Sequence, residues 1–224
     1  MECVPESDDF EELRGQVRSL ELRLAEANHR IANSLQMASF LAGDGAGEVR
    51  DPVARSRLAA TQNYIEAIAG VHHLLSGDHP DSLLPLDTYL SRLVGRLQAA
   101  AAHDSVRRVI SLQTDPVQAS PESAVWIGMV LIELVSNAWK YAYAPTEVGE
   151  VRVKLARRER GFVLQVEDDG PGVDLGQPAV GSGLGTRMIT AMARRFGAEF
   201  GYESSSSGAR AVLVACGPRD ERVG

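Results

Sequence analysis

Cysteine is scarce in this chain: the 224 residues contain 2, Cys3 and Cys216, at opposite ends. That excludes a disulfide framework, and two free thiols point to a reducing compartment. Long hydrophobic runs are missing, so no segment reads as a membrane-spanning helix. The N-terminus is acidic at Glu2, Glu6, Asp8, Asp9, Glu11 and Glu12, the opposite of the basic start of a signal peptide. Basic residues are outnumbered, 23 against 30 acidic, for a formal net charge of -7. Aromatics make up only 5% and no basic patch is interleaved with them, which argues against nucleic acid or an anionic membrane as partner. What remains is a soluble, cytoplasmic protein, long enough for one large or two small domains, each with its own core.

Residues 10–42 place apolar or small side chains at Phe10, Leu13, Val17, Leu20, Leu24, Ala27, Ile31, Ser34, Ala38 and Leu41. The alternating steps of three and four describe the heptad seam of a helix packing on other helices, and no proline interrupts it. The run Gly43-Asp44-Gly45-Ala46-Gly47 is expected to break this helix. A second helix is expected from Pro52 to about Leu75, with Pro52 in its first turn and Leu58, Thr61, Ile65, Ile68, His72 and Leu75 near heptad spacing. One hairpin has too little surface to bury both stripes, so a four-helix bundle made by two chains is the economical solution; a monomeric hairpin packed on the second domain is the alternative. Gly77-Asp78-His79-Pro80-Asp81 reads as a linker, which divides the chain into residues 1–85 and 86–224.

Beyond the linker the pattern predicts a helix over 86–102, a strand over 108–114, a long helix over 121–143 and strands over 150–156 and 162–167. A helix over 184–196 and strands over 199–203 and 209–215 follow, with Ser204–Ser207 as a hairpin loop. Helices alternating with antiparallel strands fit an α/β sandwich, a sheet covered by helices on one face.

Three segments carry chemistry in a fixed order. Glu133-Leu134-Val135-Ser136-Asn137-Ala138-Trp139-Lys140-Tyr141 lies on the long helix, where Asn137 and Lys140 stand one turn apart and can reach a metal and a phosphate. Asp168-Asp169-Gly170-Pro171-Gly172 follows a strand end, where a carboxylate can accept a hydrogen bond from an exocyclic amine. Gly181-Ser182-Gly183-Leu184-Gly185 opens the next helix, where backbone N–H groups can approach phosphate oxygens. Each glycine cluster alone is most simply a turn; the ordered set describes a pocket for a nucleotide with its metal. This order resembles the N, G1 and G2 boxes of the GHKL ATPase superfamily, which joins gyrase, MutL and the histidine kinases, over roughly residues 86–217.

Upstream lies Ala27-Asn28-His29-Arg30-Ile31-Ala32-Asn33-Ser34-Leu35-Gln36. With Phe10 at heptad position a, His29 falls at f and points into solvent, where a core histidine would not be. A neutral imidazole is a competent nucleophile near neutral pH. The segment resembles the phosphoacceptor box of histidine kinases in which Arg follows the His, siblings of the HWE kinases, and so the chain looks like a two-component histidine kinase core.

The resemblance implies a helical-hairpin dimerisation domain, forming a four-helix bundle in the homodimer, followed by a Bergerat-type α/β-sandwich ATP-binding domain. It implies ATP and Mg²⁺, with Asn137 holding the metal, Lys140 a phosphate and Asp168 the adenine amino group. Gly170 and Gly172 would open the lid and Gly181, Gly183, Leu184 and Gly185 close it, with Tyr141 at the rim. His29 would take the phosphoryl group, with Glu133 or Glu26 as candidate base, and would pass it to an Asp on a response regulator receiver domain. Arg30 could screen the phosphate charge. Asn33 and Gln36, one and two turns along from His29, could position the ring or receive the regulator.

The chain departs from that pattern in places: Ala32 stands where the class commonly carries Lys, Tyr141 where the HWE kinases carry His, and their Trp-x-Glu is absent. Only Val173–Val180 separate the two glycine boxes, a short lid without an aromatic residue. Trp126 and Trp139 read as packing residues, and His72, His73 and His79 lack the companions of a zinc set. The seam begins at Phe10, so input is expected from a separate sensor protein unless the chain is part of a longer kinase. A phosphotransfer adaptor with a vestigial ATP domain is the alternative function, and a mechanical ATPase the third.

Overall fold

A computed structural model describes residues 7–76, 83–101, 108–144, 146–172, 184–205 and 208–216. The chain divides into two units, Met1–Leu84 and Pro85–Gly224.

The first unit is a hairpin of two helices, α1 (Ser7–Glu48) and α2 (Pro52–Leu75). The expected break at Gly43–Gly47 is not there: α1 continues through the glycines and the turn comes at Val49–Asp51. A helical glycine costs only about 1 kcal/mol relative to alanine, and here packing against α2 outweighs it. A Cβ at Gly43 would lie 2.8 Å from the Gln62 side chain, so the glycine lets the helices approach. Local signals then set the start of α2. Asp51 accepts from the backbone N–H groups of Val53 and Ala54 at 3.1 and 3.2 Å, with Pro52 at the first helical position.

The hairpin face of α1 is not the heptad seam. The buried residues are Asn28, Ala32 and Ser39, with Leu35 half-buried, one step round the helix from the expected stripe. Small and polar side chains make this interface because they can hydrogen-bond across it. The Ser39 hydroxyl donates to Glu66 at 3.0 Å, and His72 Nδ1 lies 3.0 Å from Asn28 Oδ1. The seam residues Leu13, Leu20, Leu24, Ile31 and Leu41 lie on the adjacent face and are exposed in the single chain.

The second unit runs in the order β1 (Leu84–Pro85), α3 (Leu86–Ala101), β2 (Arg108–Thr114), β3 (Gln118–Ala119), α4 (Pro121–Tyr141), β4 (Gly149–Arg157), β5 (Phe162–Glu167), α5 (Leu184–Arg195), β6 (Ala198–Ser205) and β7 (Gly208–Ala215). Five of the strands form one sheet in the order β2-β4-β5-β7-β6. Its pairings are antiparallel except β2 with β4, which is parallel, so the sheet is mixed where antiparallel strands were expected. The cause is the connection: β2 reaches β4 through α4, and a helical crossover joins parallel neighbours.

Val151, Val153, Leu155, Leu164, Val166 and Leu213 fill one face of the sheet, against which α3, α4 and α5 pack with Ile127, Leu131 and Ile189 fully buried. Trp126 belongs to this packing, stacked on Phe196 at 5.0 Å. The other face carries a cross-strand ladder of alternating charge, Glu203, Arg210, Glu167, Arg152 and Asp169. The long helix ends two residues before the expected Tyr143, whose side chain instead serves the loop after β5: its hydroxyl donates to Glu150 O and accepts from Asp169 N at 3.2 Å. The expected linker Gly77–Asp81 lies outside the described residues.

Candidate functional site

In the first unit His29 is exposed on α1. Asn33 follows it by one turn, and its amide nitrogen lies 3.4 Å from His29 Nδ1. The ring of His73, from α2, stands edge-on to that of His29 with centroids 6.3 Å apart. Gln36 reaches His73, amide nitrogen to Nε2, at 2.9 Å. His29, Asn33 and Gln36 therefore share one exposed patch, to which α2 adds His73. Arg30 and Glu26 face each other at 3.9 Å, both largely exposed, a weak pair that draws Glu26 toward Arg30. His72 and His73 turn to different partners, Asn28 and Gln36.

In the second unit α4 carries Glu133, Asn137, Lys140 and Tyr141 along one face, the last two exposed at its C-terminal end. Asp168 follows the end of β5 and is fixed by the backbone: its Oδ1 accepts from Gly170 N at 3.0 Å and Ala209 N at 3.2 Å. Both bonds fall on the same oxygen, and together they fix the orientation of the carboxylate; among the described residues no hydrogen bond falls on Oδ2. Gly170 passes so close to the end of α4 that a Cβ would meet Ala142 Cα at 2.5 Å, and Gly172 adopts φ 83°. Any other residue at 170 would push the Asp168 loop off the helix.

Two ties hold that loop. Arg152 donates a fork of two hydrogen bonds to Asp169 at 2.9 and 2.8 Å, and these bonds hold the Asp169 carboxyl below the ordinary carboxylate range. The Tyr143 hydroxyl supplies the second, and burial raises its pKa. α5 opens at Leu184, and a Cβ on Gly185 would lie 1.7 Å from a carboxylate oxygen of Glu133. The Glu133 carboxylate thus sits against the positive end of α5, an electrostatically favourable place. Gly181 and Gly183 lie outside the described residues.

Residues that the sequence pattern did not single out complete the site. Tyr202 of β6 lies opposite Ala211 in the strand register, on the inner face of the sheet, where Thr186, Asn137, Glu133 and Asp168 are its electrostatic neighbours. Burial, the largest cause, and those two carboxylates raise its pKa. Nothing in the linear pattern marks Tyr202; only alternation along β6 puts it on the inner face. In the sequence His73 is simply one of three histidines without the companions of a zinc set.

A cradle with a fixed carboxylate at a strand end, an Asn one helix turn beyond a Glu, and a helix N-terminus against that Glu suits an adenine nucleotide with a divalent cation. A family profile described as a histidine kinase matches residues 26–101, which include His29, and one described as a histidine kinase-like ATPase domain matches 97–214, more than half of the chain. The chain belongs to the histidine kinase family.

Within it, 200 residues are 28% identical to blue-light-activated histidine kinase 2 of Erythrobacter litoralis, covering 84% of this chain and 55% of that protein. The sensor histidine kinase PdtaS of Mycolicibacterium smegmatis is 30% identical over 172 residues, 75% of this chain and 34% of that one. The chain thus spans about a third to a half of the lengths of these relatives. Among solved structures, the histidine kinase domain of a blue-light activated histidine kinase from E. litoralis superposes with TM-score 0.63 at 20% identity, covering 86% of this chain and 93% of that domain. That likeness is one of fold, a helical N-terminal region followed by a mixed α/β ATPase domain. No helix among the described residues is long and apolar enough to cross a membrane.

Proposed function

We propose that this chain is the kinase core of a two-component system: it transfers the γ-phosphoryl group of ATP to His29 and passes it to an Asp of a response regulator receiver domain. Residues 1–85 are the dimerisation and phosphotransfer domain and residues 86–224 the catalytic ATP-binding domain. The single observation that supports this best is the pairing, in one chain of the family, of an exposed His29 with the cradle built by Asn137, Asp168, Gly170 and Gly185.

In this reading Asp168 takes the adenine amino group through the carboxylate oxygen that the backbone N–H groups do not use. Asn137 offers its amide oxygen to Mg²⁺, and Lys140 and Tyr141 line the phosphate side from the last turn of α4. Gly172, Leu184 and Gly185, with Gly181 and Gly183 of the lid, let backbone N–H groups approach the phosphates. When bound, Mg²⁺ would supply positive charge to offset that of the phosphates. His29 attacks the γ-phosphorus through a ring nitrogen that carries no proton; as the N–P bond forms, the bond to the β,γ-bridging oxygen breaks and ADP leaves. The ring's remaining proton must leave or be shared; Glu133 is the base we favour, because Glu26 is turned to Arg30. Arg30, Asn33 and Gln36 surround the phosphorylated ring where the receiver must dock, and the exposed seam of α1 is the surface on which a second chain completes a four-helix bundle. A cytoplasmic setting, with input from a separate sensor or a region beyond this chain, follows from the need to meet a receiver.

Incubation with γ-labelled ATP and Mg²⁺ tests the reading. The protein should retain a label that is lost in acid and kept in base, since a phosphoramidate hydrolyses once protonated, and His29→Gln should abolish it while still binding nucleotide. A base-labile, acid-stable label, or undiminished labelling of His29→Gln, would contradict it.

A further inference from the structure

We propose that Tyr143, backed by Arg152, is a positioning residue that sets the base specificity of the nucleotide site: its hydroxyl stands in for a bond of the β-ladder and so holds the Asp168 carboxylate where the adenine amine can reach it. This rests on the reading of Asp168 as the acceptor of that amine made above. β4 and β5 pair antiparallel as far as Arg152 opposite Glu167. Two residues further the same register would set Glu150 against Asp169, where a ladder bond would ordinarily run from the Asp169 N–H to Glu150 O. Instead the Tyr143 hydroxyl stands between them, accepting from Asp169 N at 3.2 Å and donating to Glu150 O.

The end of β5 is thereby released on one side only. Toward β7 it keeps its register one residue longer: Asp168 N donates to Ala209 O at 3.0 Å, and Ala209 N donates to Asp168 Oδ1 at 3.2 Å. Toward β4 the strands are parted by the width of a hydroxyl group. The Tyr143 ring fits beside the start of β4 because residue 149 is glycine; a Cβ there would lie 2.6 Å from the ring. The Arg152 fork, at 2.9 and 2.8 Å, pins the Asp169 carboxylate on the outer face of the sheet. Asp169 is thus gripped by backbone and side chain alike. Its neighbours are Asp168 and Gly170, and Gly170 N supplies the other bond to Asp168 Oδ1 at 3.0 Å. With phenylalanine at 143 the spacer is gone, and Asp169 N faces Glu150 O. An amide N–H that loses its partner takes the nearest acceptor. The two strands would close there and draw Asp168 toward β4, away from the adenine amine.

Calorimetric titration of the full chain with ADP and with inosine diphosphate, whose base carries a carbonyl in place of the amine, tests this. The parent should favour ADP, and Asp168→Asn should lose that preference. Tyr143→Phe keeps the ring and removes the hydroxyl; it should lower the ratio of ADP to inosine diphosphate affinity about three- to tenfold, the range of one hydrogen bond. A purely structural loss would weaken both nucleotides alike and leave the ratio where it was. Arg152→Lys keeps the charge and gives up the fork; it should act in the same direction by a smaller factor, and carries the test if Tyr143→Phe does not fold. An unchanged ratio in these variants, while Asp168→Asn behaves as expected, would overturn the positioning role alone. A parent that does not bind ADP or binds the two nucleotides equally, or an Asp168→Asn that keeps the preference, would overturn the adenine assignment and this inference together.

Discussion

At the scale of single residues, the proposed reading has Asp168 divide its two oxygens between fold and ligand. Oδ1 is spent on Gly170 N and Ala209 N. Asp168→Asn keeps an oxygen for those donors, so the fold should survive. The other position becomes an NH₂ that faces the donor group of adenine. Hydrogen bonds to charged groups are worth about 1.5–3 kcal/mol, so ADP affinity should fall about 10- to 100-fold, with and without Mg²⁺, at an unchanged melting temperature. Unaltered affinity by calorimetry would remove Asp168 from the site. His72 makes a different test. Its Nδ1 meets Asn28 Oδ1 at the buried hairpin face, and burial lowers its pKa. The unfolded chain therefore binds the proton more readily. The stability contribution is fully present above the ordinary histidine pKa of about 6.5 and is lost as pH falls below it toward the folded value. Thermal unfolding followed by circular dichroism should weaken between about pH 7.5 and 5.5 more in the parent than in His72→Gln; equal decline in both would refute it. The candidate residues Asn137, Asp168 and Gly170 could be singled out from the sequence because each belongs to a local motif. Tyr202 and His73 could not, because their places beside those residues come from strands and helices meeting far apart in sequence.

At the scale of elements, the patterns that read correctly were those fixed locally. Pro52 starts α2, alternation marks β4, and the apolar run over Phe162–Glu167 is β5 to the residue. The glycines at 43, 45 and 47 misled because propensity is a small term that tertiary packing overrides. That makes a prediction: Gly45 is helical with nothing within 4 Å of a Cβ placed on it, so Gly45→Ala should stabilise the chain by about 0.5–1 kcal/mol in denaturant melts. Destabilisation would mean that the helix does end there. The parallel β2–β4 pair was illegible for another reason, since the sense of a pairing lies in the connection and not in either strand. The heptad seam is the third case. Its period was evident, yet the hairpin uses the neighbouring small and polar stripe, which leaves Leu24 and Ile31 40% and 43% exposed. Glutamate at such positions in a monomer should change stability by no more than about 0.5 kcal/mol. In a bundle it places like charges in the seam, so Leu24→Glu or Ile31→Glu should convert a sedimenting dimer to monomer. A parent that sediments as a monomer would remove the four-helix bundle.

At the scale of the whole molecule, the proposed reading needs both units: the hairpin carries the exposed His29, and the α/β unit, matched by the histidine kinase-like ATPase profile, carries the candidate nucleotide cradle. In that reading neither unit alone suffices for group transfer, and their succession along one chain of this family is what supports it. The most direct measurement is to incubate the chain with ATP and Mg²⁺ and locate the added phosphoryl group by mass spectrometry under neutral to basic handling. The predicted result is modification of the peptide containing His29, confined to that side chain and absent when Asp168→Asn or Asn137→Ala replaces the parent. A phosphoryl group on a serine, threonine or any other histidine, with His29 unmodified, would contradict it.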